Sequence, residues 1–202
     1  MQNLHKKALL LSYFTVAYNV VEGVAAIFFG SVSGSIALVG FGIDSFVESL
    51  SGSIMIWRFG KHRNLSEEDE ERIEKKAIKL VGWSFFILGA YVLFESLKTL
   101  YFQEQPEKSL IGIIIAILSL VIMPTLFYLK YKTGKALKSK SLVADSKQTL
   151  ACIVMSVALL VGLGLNYIYG IWWLDPLVGV FIAILLFKEA KEALEEEKLC
   201  SC

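Results

Sequence analysis

Long apolar stretches separated by short clusters of charged residues dominate this chain. A helix needs about 20 mostly apolar residues to cross the hydrocarbon core of a bilayer. Six stretches approach that length, although the last is apolar only as far as Phe187. The pattern predicts an all-α membrane protein with six transmembrane helices, approximately at residues 8–29, 33–57, 77–101, 109–131, 142–170 and 172–194.

Composition supports a membrane location. Apolar residues make up 55% of the 202 residues and charged residues 19%, whereas charged residues form about 25% of a typical soluble domain. The net charge of +1 does not indicate a nucleic-acid partner. The first apolar stretch is too long for a signal peptide and no small-residue cleavage site follows it. Because the chain stops soon after the last span, we expect a single transmembrane domain and no soluble C-terminal domain.

The basic residues are distributed unevenly between the predicted connections. The two richest connections, at residues 58–79 and 130–147, hold seven and six Lys or Arg residues. Assigning the basic connections and both termini to one side places 18 of the 20 Lys and Arg residues there. Basic residues favour the cytoplasmic side of a membrane. Both termini are therefore predicted to be cytoplasmic, which requires an even number of spans.

Two acidic residues lie within the second predicted span. Asp44 and Glu48 are four residues apart and share one face of a helix. An ionised carboxylate at the bilayer centre costs at least about 2.5–3.5 kcal/mol, so such groups usually face a cavity and have a partner. Two neighbouring carboxylates repel unless one holds a proton or a cation binds between them. The pair is either a metal site or a protonated, hydrogen-bonded structural pair.

The fifth predicted span offers further polar side chains with the same spacing. Gln148 and Cys152 are four residues apart, as are Asp145 and Thr149. The second and fifth spans run in opposite directions, and their polar positions fall within about two helical turns of each other. Carboxylate, amide and thiolate ligands suit a borderline or soft divalent cation. The predicted metal ligands are Asp44, Glu48, Gln148 and Cys152, although Cys152 taken alone is much more typical of a small buried core residue than of a ligand.

Glu22, in the first predicted span, lies at roughly the depth of Asp44. It has three interpretations: a proton carrier or a support for the ligands, a direct metal ligand, or a structural acid bonded to Asn19 and nearby hydroxyl groups. We expect the first of these roles for Glu22, and the same role for Asp145 and Thr149.

Charged and thiol groups outside the spans have weaker interpretations. The acidic run at residues 66–71 suits a solvated helix start, with a metal-gathering loop as the alternative. Cys200 and Cys202 on the C-terminal tail could capture a soft cation, or could simply be a solvated end. Glu95 and Asp175 are expected near the outer interface in structural roles.

Three segments of the chain carry a family resemblance. The stretch at 34–48, GSIALVGFGIDSFVE, resembles the second-helix signature of the cation diffusion facilitator (cation efflux) family. The stretches LVADS at 142–146 and WWLDPLVG at 172–179 resemble its fifth and sixth helices. The resemblance implies six spans with cytoplasmic termini, a homodimer, and exchange of Zn²⁺ or a similar ion for protons. Here it is to the short form of the family, which has the membrane domain alone.

The chain departs from the family pattern at the expected ligands. Glu48 stands where the family commonly has Asp. Alignment through Asp145 places Gln148 and Cys152 where His and Asp are usual. An amide and a softer thiol replace an imidazole and a carboxylate, so a divalent metal is better supported than zinc in particular.

These observations predict a divalent metal transporter. We expect proton-coupled efflux of Zn²⁺ or a related ion by alternating access, with the metal as cargo and no cofactor, in a bacterial-type cytoplasmic membrane. The expected partners are the metal ion, protons and the lipid bilayer. The alternative is a non-transporting membrane subunit or metal sensor with structural buried acids. An enzyme is not expected, because His5 and His62 lie in predicted cytoplasmic segments and no nucleophile and base stand together.

Overall fold

The structure, a computed structural model, describes residues 2–59 and 67–199. These ranges form six α-helices and contain no strand, which confirms the all-α prediction. The helices are α1 (Gln2–Ser33), α2 (Ile36–Phe59), α3 (Glu67–Phe102), α4 (Leu110–Leu137), α5 (Lys140–Tyr169) and α6 (Leu174–Leu199). The tail cysteines Cys200 and Cys202 lie outside the described residues, so their metal-capture role stays a prediction.

Five of the described helices, α1 to α5, contain a stretch that is long and apolar enough to cross a membrane. The sixth, α6, does not reach that standard within the described residues. Lys188 and Glu189 interrupt its apolar run after Phe187, as the sequence already indicated. A sixth span therefore stays a prediction. It is supported by the close packing of α6 against α3 and by its contacts with α2 and α5.

The outer surface of the bundle is apolar, unlike that of a soluble protein. Large apolar side chains point outward: Leu10, Val21 and Ile168 are 70%, 70% and 68% exposed. Buried positions hold apolar side chains together with many hydroxyl, amide and charged side chains. Exposed apolar surface on this scale is unfavourable in water and favourable in lipid. The chain is therefore a multi-pass integral membrane protein.

Helix α2 lies at the centre of the bundle, in contact with α1, α3, α5 and α6. Its approach to α1 depends on glycine, as expected for helices that pack closely in a membrane. A Cβ atom placed on Gly42 would lie 2.9 Å from the Ala26 Cβ and 2.9 Å from the Gly23 carbonyl oxygen. At the turn between the two helices Gly34 has a φ of +69°, which glycine adopts at little cost. The turn thus returns the chain antiparallel to α1 and brings the polar face of α2 inside.

The helices α4 and α5 extend beyond the predicted spans 109–131 and 142–170. α4 continues to Leu137, and α5 begins at Lys140. Lys138 takes a left-handed conformation with φ 52°, and Ser139 caps α5. The basic residues at 130–147 indicate on which side of the membrane the segment lies, and a helix continues through lysines as easily as through apolar residues.

Candidate metal centre

Asp44 and Glu48 both point into the bundle from the central helix α2. They are 5% and 3% exposed, respectively. Their four-residue spacing places them one above the other, with Asp44 a turn nearer the N-terminal end of α2. The sequence therefore placed both acids correctly on an interior face.

The two oxygens of Glu48 have different surroundings. Oε1 accepts a hydrogen bond of 2.5 Å from the Thr149 hydroxyl and lies 3.4 Å from the Lys130 ammonium. Oε2 is buried and has no hydrogen-bond partner among the described residues. An ionised carboxylate accepts several hydrogen bonds, so Glu48 keeps one oxygen available for a further ligand.

Lys130 is the residue that sequence reasoning missed. It was expected in a cytoplasmic connection, yet its side chain is 0% exposed within α4. The helical period could have predicted its burial, because Met123, Leu126 and Lys130 follow the i, i+3, i+7 pattern of one buried face. Its charge made it look like a boundary residue, since lysines at span ends usually extend to the interface.

Asp145 and Thr149 of α5 complete the surroundings of Lys130. Asp145 Oδ2 lies 3.0 Å from the Lys130 ammonium, and its Oδ1 accepts a hydrogen bond of 3.0 Å from Ser51 of α2. The Thr149 hydroxyl oxygen accepts a 3.0 Å hydrogen bond from Lys130. The structure thus joins α2, α4 and α5 through a buried cluster of Glu48, Lys130, Asp145 and Thr149.

Cys152 lies about one turn beyond Thr149 along α5, on the same buried face. It is 1% exposed and lies within electrostatic range of Asp44 and Glu48. Gln148 is only half-buried, and its side chain makes no hydrogen bond to a described residue. Two carboxylates and a thiol of the predicted ligand set therefore share the bundle interior, with the amide at its edge.

The predicted ligands are not drawn together in a metal-binding arrangement. In the described part of the chain, no three His, Cys, Asp or Glu side chains are grouped closely enough to hold a metal ion. Glu48 turns its Oε1 toward Lys130 and Thr149. The four-ligand set therefore stays a prediction.

Glu22 makes a separate hydrogen-bonded cluster beside Asp44. Its two oxygens accept hydrogen bonds from Tyr18 at 2.8 Å and from Ser45 at 3.0 Å. Hydroxyl partners, which belong to the structural interpretation of Glu22, are present, whereas Asn19 is buried with no hydrogen bond to any described residue. Glu22 thus joins α1 to α2 through Ser45, the residue next to Asp44. Its hydrogen bonds connect it to the predicted ligands only through Ser45.

At the end of the bundle where α2 begins, Asp175 connects α6 to α2. Its carboxylate accepts a short hydrogen bond from the Ser35 hydroxyl and bonds from the backbone N–H groups of Ile36 and Ala37, at 2.9 and 3.4 Å. A carboxylate at a helix N-terminus satisfies unpaired N–H groups and interacts favourably with the helix dipole. Asp175 has the geometry of a structural cap, whereas Glu95 pairs with Lys98 at 3.1 Å on a more exposed face.

Comparison with known families decides the identity of this fold. Residues 12–197 match the cation efflux transmembrane domain. The chain belongs to the cation efflux family. The match includes α2, α4, α5 and most of α1, so every residue of the clusters around Glu48 and Glu22 lies within the domain of this transporter family. The resemblance based on three short segments is thereby confirmed.

Relatives in the cation efflux family share low identity with this chain. Transmembrane protein 163 of Xenopus laevis is 25% identical over 186 residues, covering 92% of this chain and 65% of that protein. Cation-efflux pump FieF of Shewanella oneidensis is 26% identical over 162 residues, covering 78% and 54%. The cadmium, cobalt and zinc/H(+)-K(+) antiporter of Bacillus subtilis is 20% identical over 193 residues, covering 93% and 60%. The chain spans less than two thirds of the length of each of these relatives.

Proposed function

We propose that this chain exports a divalent metal cation from the cytoplasm in exchange for protons, by alternating access. One observation carries the proposal: the central helix of a transporter-family bundle buries Asp44 and Glu48 on one face, and one buried oxygen of Glu48 has no hydrogen-bond partner among the described residues. Buried acids in membrane helices commonly mark ion pathways. The Bacillus subtilis relative is named as an antiporter of cadmium, cobalt and zinc, which supports the same class of cargo.

The proposed ligands are Asp44, Glu48, Cys152 and Gln148. Glu48 would contribute Oε2, because its Oε1 is engaged by Thr149 and Lys130. Gln148 would need to turn inward from its half-buried position. Carboxylate oxygens with one thiolate suit a borderline or soft cation, of which Zn²⁺ is the first candidate and Cd²⁺ the second.

Protons would drive release by competing with the metal for the same lone pairs. Carboxylates and thiolates bind a metal only when deprotonated, so an acidic outer solution favours loss of the metal there. Glu22 is our candidate proton carrier, since its carboxylate is buried beside Ser45 and hydrogen-bonded only by hydroxyl groups among the described residues. Asp145 and Thr149 would carry protons or hold the ligands in position, without contacting the metal. The working unit we propose is a homodimer in a bacterial-type cytoplasmic membrane.

One observation favours the alternative of a non-transporting subunit or sensor. Lys130 already neutralises part of the negative charge of Glu48 and Asp145, as expected for acids that fix helix packing. Asp44 is not part of that ion pair, so variants of Asp44 separate the two functions more cleanly than variants of Glu48.

Metal binding by purified protein tests the proposed ligands. We expect the wild type to bind Zn²⁺ and Cd²⁺ by titration calorimetry in detergent, and Cys152→Ser to weaken Cd²⁺ binding about tenfold with a smaller effect on Zn²⁺, because a thiolate prefers the softer ion. Ala151→Ser, one residue away, is the matched control and should change neither affinity. Equal binding of Cd²⁺ by the wild type and Cys152→Ser would remove Cys152 from the ligand set.

A further inference from the structure

The ammonium group of Lys130 lies among three oxygen atoms inside the bundle. It donates hydrogen bonds to Thr149 Oγ1 at 3.0 Å and to Glu48 Oε1 at 3.4 Å. It also forms an ion pair with Asp145 Oδ2 at 3.0 Å. A buried cation held this closely is a fixed part of the electrostatics of the bundle.

Lys130 reduces the excess of negative charge around the proposed ligands. When deprotonated, Asp44, Glu48, Asp145 and Cys152 contribute four negative charges, and Lys130 contributes one positive charge. A bound divalent cation would leave this group of side chains with a net charge of −1. Without Lys130 the net charge would be −2, in a low-dielectric interior where unscreened charge acts strongly on a bound ion.

Lys130 also restricts how Glu48 can bind. The ammonium group and Thr149 share Oε1, whereas Oε2 is buried and has no hydrogen-bond partner in the part of the chain that the structure describes. Glu48 can therefore offer one oxygen to a cation while the other stays engaged. A carboxylate that offers one oxygen holds a cation less firmly than one that offers two, which suits a site that must also release its cargo.

We propose that Lys130 is a built-in counter-cation that sets the metal affinity of this site and keeps it low enough for release. This inference rests on the proposed function, because it requires a divalent cation to bind near Glu48. Lys130 is a positioning residue here. It acts through Glu48 and through its charge, without touching the metal.

A purely structural role would give a different pattern of affinities. If Lys130 only joins α2, α4 and α5, then removing either end of the pair should loosen the site and weaken metal binding. If its charge sets affinity, then removing Lys130 should strengthen binding, and removing Asp145 should weaken it. The double variant, which deletes one charge of each sign, should return toward the wild-type value.

The test is Zn²⁺ titration of five purified proteins, the wild type and four variants, at pH 8, where proton competition is weak. We expect Lys130→Met to bind Zn²⁺ about tenfold or more tightly and Asp145→Asn about tenfold or more weakly. Lys130→Met/Asp145→Asn should lie between them, near the wild type. Lys132→Met, which removes an exposed lysine from the same helix, is the matched control and should leave the affinity unchanged.

The outcomes separate this inference from the proposed function. Failure of the wild type to bind Zn²⁺ or Cd²⁺ would overturn the proposed function itself. Binding by the wild type with equal or weaker binding by Lys130→Met would overturn only the role of Lys130. If Lys130→Met does not fold, the double variant is compared with Asp145→Asn instead, because its net buried charge equals that of the wild type. A double variant that binds as weakly as Asp145→Asn would then contradict the inference, and one restored toward the wild type would support it.

Discussion

Asp44→Asn should reduce metal transport about 100-fold or more, since this change removes a ligand charge while keeping the size of the side chain and one acceptor oxygen. Asp44 is 5% exposed on the central helix and lies outside the ion pair that Glu48 makes with Lys130. Its charge is therefore not needed to balance Lys130. The measurement is Zn²⁺ flux into proteoliposomes, followed with an indicator dye.

The control for this variant is Glu104→Gln, which neutralises an exposed acid between α3 and α4. It should transport like the wild type. Both variants should elute as the same folded species in size-exclusion chromatography. Wild-type flux by Asp44→Asn would favour the non-transporting alternative, in which the buried acids serve only helix packing.

Asp175→Ala should lower the free energy of unfolding by about 2–4 kcal/mol, because it leaves buried hydrogen-bond donors without an acceptor. Those donors are the Ser35 hydroxyl and the backbone N–H groups of Ile36 and Ala37. The start of α2 should become less ordered, and thermal unfolding in detergent should occur at a lower temperature.

Asp175→Asn should lower the free energy of unfolding less, because its amide oxygen still accepts a hydrogen bond from a backbone N–H group. Glu107→Ala, which removes an exposed acid from the same end of the bundle, is the matched control and should unfold at the same temperature as the wild type. An Asp175→Ala protein as stable as the wild type would show that the cap adds little to the connection between α2 and α6.

Periodicity and hydropathy could predict most of the fold. The apolar runs gave the order of the helices, and the i, i+4 spacing placed Asp44 and Glu48 on one buried face. The end of α4 could not be predicted from charge, because a hydropathy profile does not distinguish a lysine at a helix end from a lysine in a turn. The buried face through Met123 and Leu126 was the better guide to Lys130.

Contacts between distant segments could not be predicted from the sequence. Ser51 bonds Asp145 across 94 residues, and Ser35 bonds Asp175 across 140. Nothing in the local sequence selects these pairs, since many other hydroxyl groups on the same helices could reach a carboxylate if the helices packed differently. Asn19 was a partner of Glu22 in only one of the three interpretations of that acid, and Tyr18 and Ser45 bond Glu22 instead.

The central claim, proton-coupled export of a divalent cation, is tested most directly in proteoliposomes that report metal and pH together. With the wild-type protein and a proton gradient, we predict that Zn²⁺ or Cd²⁺ crosses in one direction while protons cross in the other, and that Asp44→Asn stops both. A wild-type protein that moves none of Zn²⁺, Cd²⁺, Co²⁺, Mn²⁺ or Fe²⁺ under that gradient would contradict the claim.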